Sequence, residues 1–286
     1  MIASPLRYPG GKASLVSLLT GIRRLNALGD LSLAEPYAGG AGASLSLLYL
    51  EETSTIRIND ADRRIYAFWW ALLARTRAFV DRVHAAKLNL AEWKRQRTVY
   101  RSRIGSTSQV DLAFATFYLN RCNRSGIIID GGPIGGFDQQ SEWGIDARFN
   151  RDELVRRCRR VAEYRDRIKV SCLDGIEFIG SVDLTKTMLF IDPPYFEKGE
   201  LLYMNRLDAE YHKRLAASLK TIPHAAWVLT YDDCREVRAM YADWANVRPF
   251  RLRYAASKRR SGNELLITPR WMRLPESQRS GAVYWN

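Results

Sequence analysis

Between Leu31 and Asp60 a strand candidate (Leu31–Glu35), a glycine-containing turn (Pro36–Gly42), an apolar helix candidate (Ala43–Glu52) and a second strand candidate (Thr55–Asp60) follow one another. That order is a β-α-β unit. A second αβ region starts at Thr185, where the apolar run Met188–Ile191 stops at Asp192 and two prolines. It continues through a helix candidate around Ala209–Leu219 to a strand candidate in residues 225–233. In both regions the strands end at acidic residues. Strands that alternate with helices imply an α/β fold with a doubly wound, mainly parallel sheet, whose ligands gather at the carboxyl ends of the strands.

Composition sets the remaining bounds. With 286 residues, 47% of them hydrophobic and 26% charged, the chain has the apolar content for one compact domain plus a modest subdomain. No segment approaches the roughly 18 unbroken apolar residues of a membrane span, and the N-terminus lacks a leader pattern, so a soluble cytoplasmic protein is expected. Cys122, Cys158, Cys172 and Cys234, like His84, His212 and His224, are too scattered for a metal or disulfide framework, and no metal is expected. Lys and Arg number 44 against 31 Asp and Glu, a net charge of +13 that points to a polyanionic partner. Residues 75–165 hold 18 basic and 10 acidic residues, so this stretch carries +8 of that excess. It is expected to face nucleic acid. The tail adds a second basic run at Lys258-Arg259-Arg260.

Asp192-Pro193-Pro194-Tyr195 places a carboxylate, a prolyl carbonyl and an aromatic ring at a strand mouth. Two acceptors there suit the two hydrogens of an exocyclic amine, and the ring offers a face to an extruded base. The paired prolines stiffen the loop. In the turn Glu35–Gly42, the glycines admit a ligand close to the backbone, and Asp60 stands 20 residues after Gly40, where an acidic group commonly accepts from ribose hydroxyls. The loop lacks the Lys-Ser/Thr ending of a phosphate cradle, which favours S-adenosylmethionine over ATP as the adenosine-containing cofactor. Trp69, Trp70, Phe117 and Tyr118 are expected in the core, leaving Tyr195 as the stacking residue.

The blocks Arg7–Lys12, Glu35–Leu48, Ile58–Trp69, Phe117–Gly126, Phe190–Tyr195 and Asn263–Ile267 together resemble, in words and in order, the D12 class of adenine-N6 DNA methyltransferases, the Dam-like DNA adenine methylases. The resemblance implies the S-adenosylmethionine-dependent methyltransferase fold in its alpha motif order. It assigns residues 1–70 and 166–286 to a cofactor-binding catalytic domain and residues 71–165 to an inserted helical or hairpin target-recognition domain. It implies that Tyr8, Lys12, Glu35, Gly39, Gly40, Asp60, Asp174 and Asp192 surround the cofactor, and that Arg7, Asn120, Arg121 and Arg124 reach DNA. Asp174 sits where this family often has an acidic-aromatic pair at the cofactor's adenine, but Gly175 replaces the aromatic here. Residues 122–149 also depart from a compact base-reading hairpin.

The activity expected from these features is methyl transfer to adenine N6 at specific sites in double-stranded DNA, with the base flipped and no obligatory protein partner. A cytosine-N4 or RNA amino-methyltransferase, or an inactive DNA-binding module on the same fold, is the alternative. Roles in restriction-modification, in a phage or in housekeeping methylation are equally compatible with it.

Overall fold

The computed structural model describes residues 3–7, 12–196, 207–252, 262–275 and 283–285. Tyr8 and the Lys258–Arg260 run lie outside the described residues. The strands are β1 (Ser32–Glu35), β2 (Ile56–Asn59), β3 (Ile168–Ser171), β4 (Thr187–Ile191), β5 (Trp227–Asp232), β6 (Ala245–Leu252), β7 (Gly262–Pro269) and β8 (Val283–Trp285). They form one sheet in the order β3-β2-β1-β4-β5-β7-β6-β8. The first five are parallel. β7 runs antiparallel between β5 and β6, and β8 lies antiparallel on β6.

The helices are α1 (Val16–Leu25), α2 (Gly42–Tyr49), α3 (Arg63–Ala74), α4 (Thr76–Ala85), α5 (Leu90–Arg101), α6 (Gln109–Cys122), α7 (Arg151–Glu163), α8 (Gly175–Ser181), α9 (Ala209–Lys220) and α10 (Arg235–Tyr241). Successive strand residues point to opposite faces, and the two faces carry separate apolar clusters. Leu33, Met188, Phe190, Val228 and Leu266 join α1, α2 and the inserted helices. Ala34, Leu189, Ile191, Trp227, Leu229, Leu265 and Ile267 meet α8, α9 and α10 on the other side. A sheet covered on both faces needs apolar residues at every position of its central strands, and all five residues of β4 are buried.

Four of the helices between residues 63 and 163 have a punctuated start. Asp62, Asn89, Ser108 and Asn150 accept backbone N–H groups at the N-caps of α3, α5, α6 and α7. The expected boundary at residue 70 falls inside α3. Phe68 of α3 stacks on Phe117 of α6 at 5.8 Å, and Phe79 of α4 meets both rings edge-on. The insertion thus shares one apolar cluster with a face of the sheet. Among the described residues its strand pairing is limited to an isolated bridge, Asn123 with Pro133.

The chain leaves β1 toward β2 and leaves β4 toward β5, so the winding direction reverses between β1 and β4. A crevice opens there beyond the carboxyl ends of the strands. Asn59, fully buried at the end of β2, fixes that rim. Its amide donates to the carbonyls of Pro36 and Leu173, each at 2.9 Å, and its Oδ1 accepts from the Leu173 N–H at 2.9 Å and the Ser171 hydroxyl at 2.8 Å. One side chain ties together the exits of β1, β2 and β3. Asn59→Ala is therefore expected to lower the unfolding free energy by about 3 kcal/mol, because buried backbone groups lose their partners. Urea titration tests this, and a loss under about 0.5 kcal/mol would show that water replaces the amide.

Candidate active site

The loop after β1 is pinned from two directions. The Gly39 N–H donates to Asp60 Oδ2 at 2.9 Å, and the Gly39 carbonyl accepts from the Trp69 indole N–H at 2.9 Å. Asp60 Oδ1 also accepts the Asp62 N–H at 2.9 Å, which ties the end of β2 to the start of α3. Glu35 closes β1 and turns inward, where its Oε1 accepts the Ser44 N–H of α2 at 2.8 Å. The structure thus brings Glu35, Gly39, Gly40 and Asp60 to one loop, as the sequence suggests. Trp69 is buried as expected, and it also holds the loop. The signal was available in principle, since a buried indole N–H requires an acceptor.

Burial pushes the carboxyls of Glu35 and Asp60 up to about 7 each. The backbone N–H bonds oppose this in both, and a neighbouring carboxylate adds to it, Asp192 for Glu35 and Asp62 for Asp60.

Across the crevice, β4 delivers Asp192. Its Oδ1 accepts the Thr230 hydroxyl at 2.6 Å and lies 3.1 Å from Lys12 Nζ. Lys12 is buried, donates to the Tyr195 hydroxyl at 2.6 Å, stands 4.9 Å from the centre of that ring, and reaches Glu264 Oε2 at 3.6 Å. Asp232 Oδ1 accepts the Phe196 N–H at 3.0 Å, which fixes the chain just after Tyr195. Pro193 is buried, while Pro194 and Tyr195 are half-buried. The structure therefore joins Lys12, Asp192 and Tyr195 in one network and adds Thr230, Asp232 and Glu264. Glu264 faces Asp232 across the antiparallel pairing of β7 with β5. Nothing short of the strand pairing itself could have signalled that contact.

Asp174 is the exposed N-cap of α8, and its Oδ1 accepts the N–H groups of Ile176 at 2.9 Å and Glu177 at 3.3 Å. It stands on the same rim as Asp60, one residue beyond the Leu173 that Asn59 grips.

The four residues expected at DNA separate into two pairs. Arg7 is half-buried and Arg124 is exposed. Asn120 is fully buried, with its Oδ1 accepting the Arg7 N–H at 2.7 Å and its amide donating to the carbonyls of Arg7 at 2.6 Å and Gly126 at 3.1 Å. Arg121 is buried and donates to the Pro5 carbonyl, while Arg157 of α7 donates to the Ser4 carbonyl at 3.4 Å. Burial first, then the charges of Arg157 and Arg7, pulls the Arg121 guanidinium down to about 9. In this arrangement Asn120 and Arg121 clasp the N-terminal segment and do not face solvent.

The 127–149 stretch is folded around Gln139, whose amide donates to the carbonyls of Ile134 at 2.7 Å and Gly136 at 2.6 Å and whose Oε1 accepts the Ile145 N–H at 3.0 Å. It exposes Phe137 and Trp143, at 60% and 64% of their surfaces.

The raised carboxyl of Glu35 has a thermal consequence. Between its ordinary value of 4.5 and about 7, the unfolded chain ionises Glu35 while the folded chain retains the proton. Folding stability contributed by this group is therefore present below 4.5 and lost as pH rises through 7, by at most about 3 kcal/mol. Glu35→Gln keeps the acceptor for Ser44 and removes the titration. Its melting temperature should fall less between pH 5 and pH 8 than that of the parent, and identical falls would show that Glu35 is ionised in the folded protein.

Among the described residues no group of three or more His, Cys, Asp and Glu could hold a metal ion, and no helix is long and apolar enough to cross a membrane. No curated protein matches the sequence significantly. Among solved structures, the rRNA methyltransferase aviRa from Streptomyces viridochromogenes is similar at 14% identity and a TM-score of 0.38, over 92% of this chain and 85% of that one. The family model of D12 class N6 adenine-specific DNA methyltransferases matches residues 8–255. That match takes in the glycine loop, Asp60, the helical insertion and Asp192–Tyr195, and it covers well over half of the sequence, so the chain belongs to the D12 class of N6 adenine-specific DNA methyltransferases.

Proposed function

We propose that this adenine-N6 methyltransferase works on a base flipped out of double-stranded DNA, with S-adenosylmethionine held between the glycine loop and Asp192. The observation that carries the reading is the arrangement of Asp192: Thr230 and Lys12 both address its Oδ1, beside Tyr195 and across the crevice from the loop that Asp60 pins. The donor set fits the cofactor. Asp60 and Asp174 would offer acceptors on the rim to ribose hydroxyls and to the adenine amine, Gly39 and Gly40 would lie under the methionine portion, and Glu35 and Asp192 would supply polar oxygens beside it. Tyr8, which the resemblance assigns to the cofactor, keeps that role in this reading.

S-adenosylmethionine supplies an electrophilic methyl group on a positively charged sulfur that takes back the C–S electron pair. Adenine N6 is a weak nucleophile because its lone pair is conjugated with the ring. Asp192 Oδ2 and the Pro193 carbonyl each accept one N6 hydrogen, which favours a pyramidal nitrogen with its lone pair aimed at the methyl carbon. Lys12 and Thr230 keep Oδ1 occupied, so Oδ2 is the oxygen presented to N6. Once the N–C bond has formed, N6 sheds one proton, for which Asp192 is the adjacent acceptor. Fixed geometry supplies most of the rate gain in such a site.

An amine inside a duplex cannot reach a strand mouth, so the adenine leaves the stack and settles on the Tyr195 ring. Residues 71–165 serve as the DNA-reading part and residues 1–70 with 166–286 as the catalytic part. Arg7 and Arg124 contact phosphates, and the exposed Phe137 and Trp143 stand on the same insertion. The compartment is that of its DNA, the cytoplasm in this reading.

Incubation with labelled S-adenosylmethionine and mixed-sequence DNA, followed by nucleoside analysis, should give N6-methyladenine, and N4-methylcytosine as the product would overturn the target. Asp192→Ala should leave a folded, DNA-binding protein with under about a tenth of parental turnover, since a retained tenth corresponds to only about 1.4 kcal/mol of lost transition-state stabilisation. For flipping, 2-aminopurine at the target position should brighten on binding, and Tyr195→Ala should lose about tenfold more turnover than Tyr195→Phe. Fluorescence that stays quenched in a turning-over complex would end the flipping role, and equal losses would end the stacking role.

A further inference from the structure

We infer that Tyr37 is the aromatic wall of the cofactor's adenine pocket, and that Gly175 exists to make room for it. The inference rests on the proposed cofactor site and names a residue in it that sequence motifs do not.

A Cβ atom placed on Gly175 would lie 2.3 Å from Cζ of Tyr37, 2.4 Å from Cε1 and 2.4 Å from the hydroxyl oxygen. The ring therefore lies directly on the backbone of Gly175, in the volume that a side chain at 175 would fill. Gly175 does not have the positive φ that would itself call for glycine. It is the first residue of α8, where glycine is a poor helix former. The ring of Tyr37 is thus the feature of the structure that explains glycine at this position.

The ring is also held in orientation. Its hydroxyl meets the Tyr211 hydroxyl of α9 at 2.9 Å, and Tyr37 packs against the same apolar cluster as Leu173 and Ile176. Tyr37 is nonetheless only half-buried and keeps part of its surface exposed. It belongs to the loop that carries Gly39, two residues further on, and it lies against the residue that follows Asp174. A flat apolar surface therefore sits on the rim beside a carboxylate that can accept an amine. A purine needs both elements: a face to stack on and an acceptor for its exocyclic amine. The ring expected at position 175 on the strength of the resemblance is supplied in this chain from position 37.

Relocating the ring separates this role from simple packing. Tyr37→Ala should raise the KM for S-adenosylmethionine and weaken S-adenosylhomocysteine binding about tenfold, with kcat changed far less, because stacking is lost in bound cofactor and transition state alike. Tyr37→Phe should stay within about threefold of the parent, since it keeps the ring. Gly175→Ala should resemble Tyr37→Ala, because the new methyl displaces the ring. The decisive variant is Tyr37→Ala with Gly175→Phe, which should recover most of the lost affinity. Calorimetry with S-adenosylhomocysteine, alongside thermal melts that establish folding, reads all four. Unchanged affinity in Tyr37→Ala, or a folded double variant no tighter than Tyr37→Ala, would overturn the inference while leaving the cofactor site in place. A parent protein that binds neither S-adenosylmethionine nor S-adenosylhomocysteine would overturn the cofactor reading and this inference together.

Discussion

The buried ammonium of Lys12 is the interaction on which the rest of the site depends. Taking a lysine out of water costs several kcal/mol unless anions and acceptors replace the lost hydration. Here Asp192 at 3.1 Å, Glu264 at 3.6 Å and the Tyr195 hydroxyl at 2.6 Å do so. These three partners come from two segments far apart in sequence: the end of β4 with the loop just after it, and the antiparallel strand β7. The lysine can be buried only if all three arrive together, and the sheet order is what brings them. Thr230 of β5 adds the fourth side, through the same oxygen of Asp192 that Lys12 approaches. The Asp192 carboxylate is accordingly held in one orientation by the protein's own groups, which is the condition under which positioning can replace strong general-base catalysis.

Lys12 also links this centre to the insertion. Residues 4, 5 and 7, just upstream of it, are gripped through their backbone by Arg157, Arg121 and Asn120. Backbone acceptors explain why two of these grips are arginines. A guanidinium with several donors can hold a carbonyl at a distance while its stem packs among apolar neighbours. The cost is burial of the Arg121 charge first and then its repulsion by Arg157 and Arg7, which together pull its guanidinium down. An anion near Arg7 would relieve that repulsion, so the clasp is electrostatically suited to lie behind a phosphate-facing surface without touching the phosphate itself.

Much of the catalytic half was legible from sequence because its signals are local. A strand that ends in an acidic residue shows both the strand and the group at its mouth, and Glu35, Asp60 and Asp192 stand out this way. What stayed hidden depends on pairings between distant segments. Glu264 and Thr230 become site residues only through the register of β7 with β5 and of β5 with β4. Charge type misleads for a related reason: Asn120 and Arg121 sit in a basic, polar block, and only the packing of α6 against the N-terminal segment reveals that they point inward. Trp69 shows the limit of a binary reading, being both core, as expected, and a hydrogen-bond donor to the glycine loop.

The insertion and the sheet are also mechanically one body on one face. α3 starts at the rim, immediately after the Asp60–Asp62 turn, and carries Trp69 to Gly39, so its first turns belong to the cofactor loop. The same helix stacks Phe68 on Phe117 of α6, one turn before Asn120 and Arg121. A displacement of α6 is therefore felt at the glycine loop through α3, and α6 also holds the backbone of Pro5 and Arg7, upstream of Lys12 in the chain. Close-packed aromatic clusters deform little and transmit small shifts rather than absorbing them. Built on such a cluster, the insertion reaches the wall that holds the glycine loop through packed contacts of its own helices.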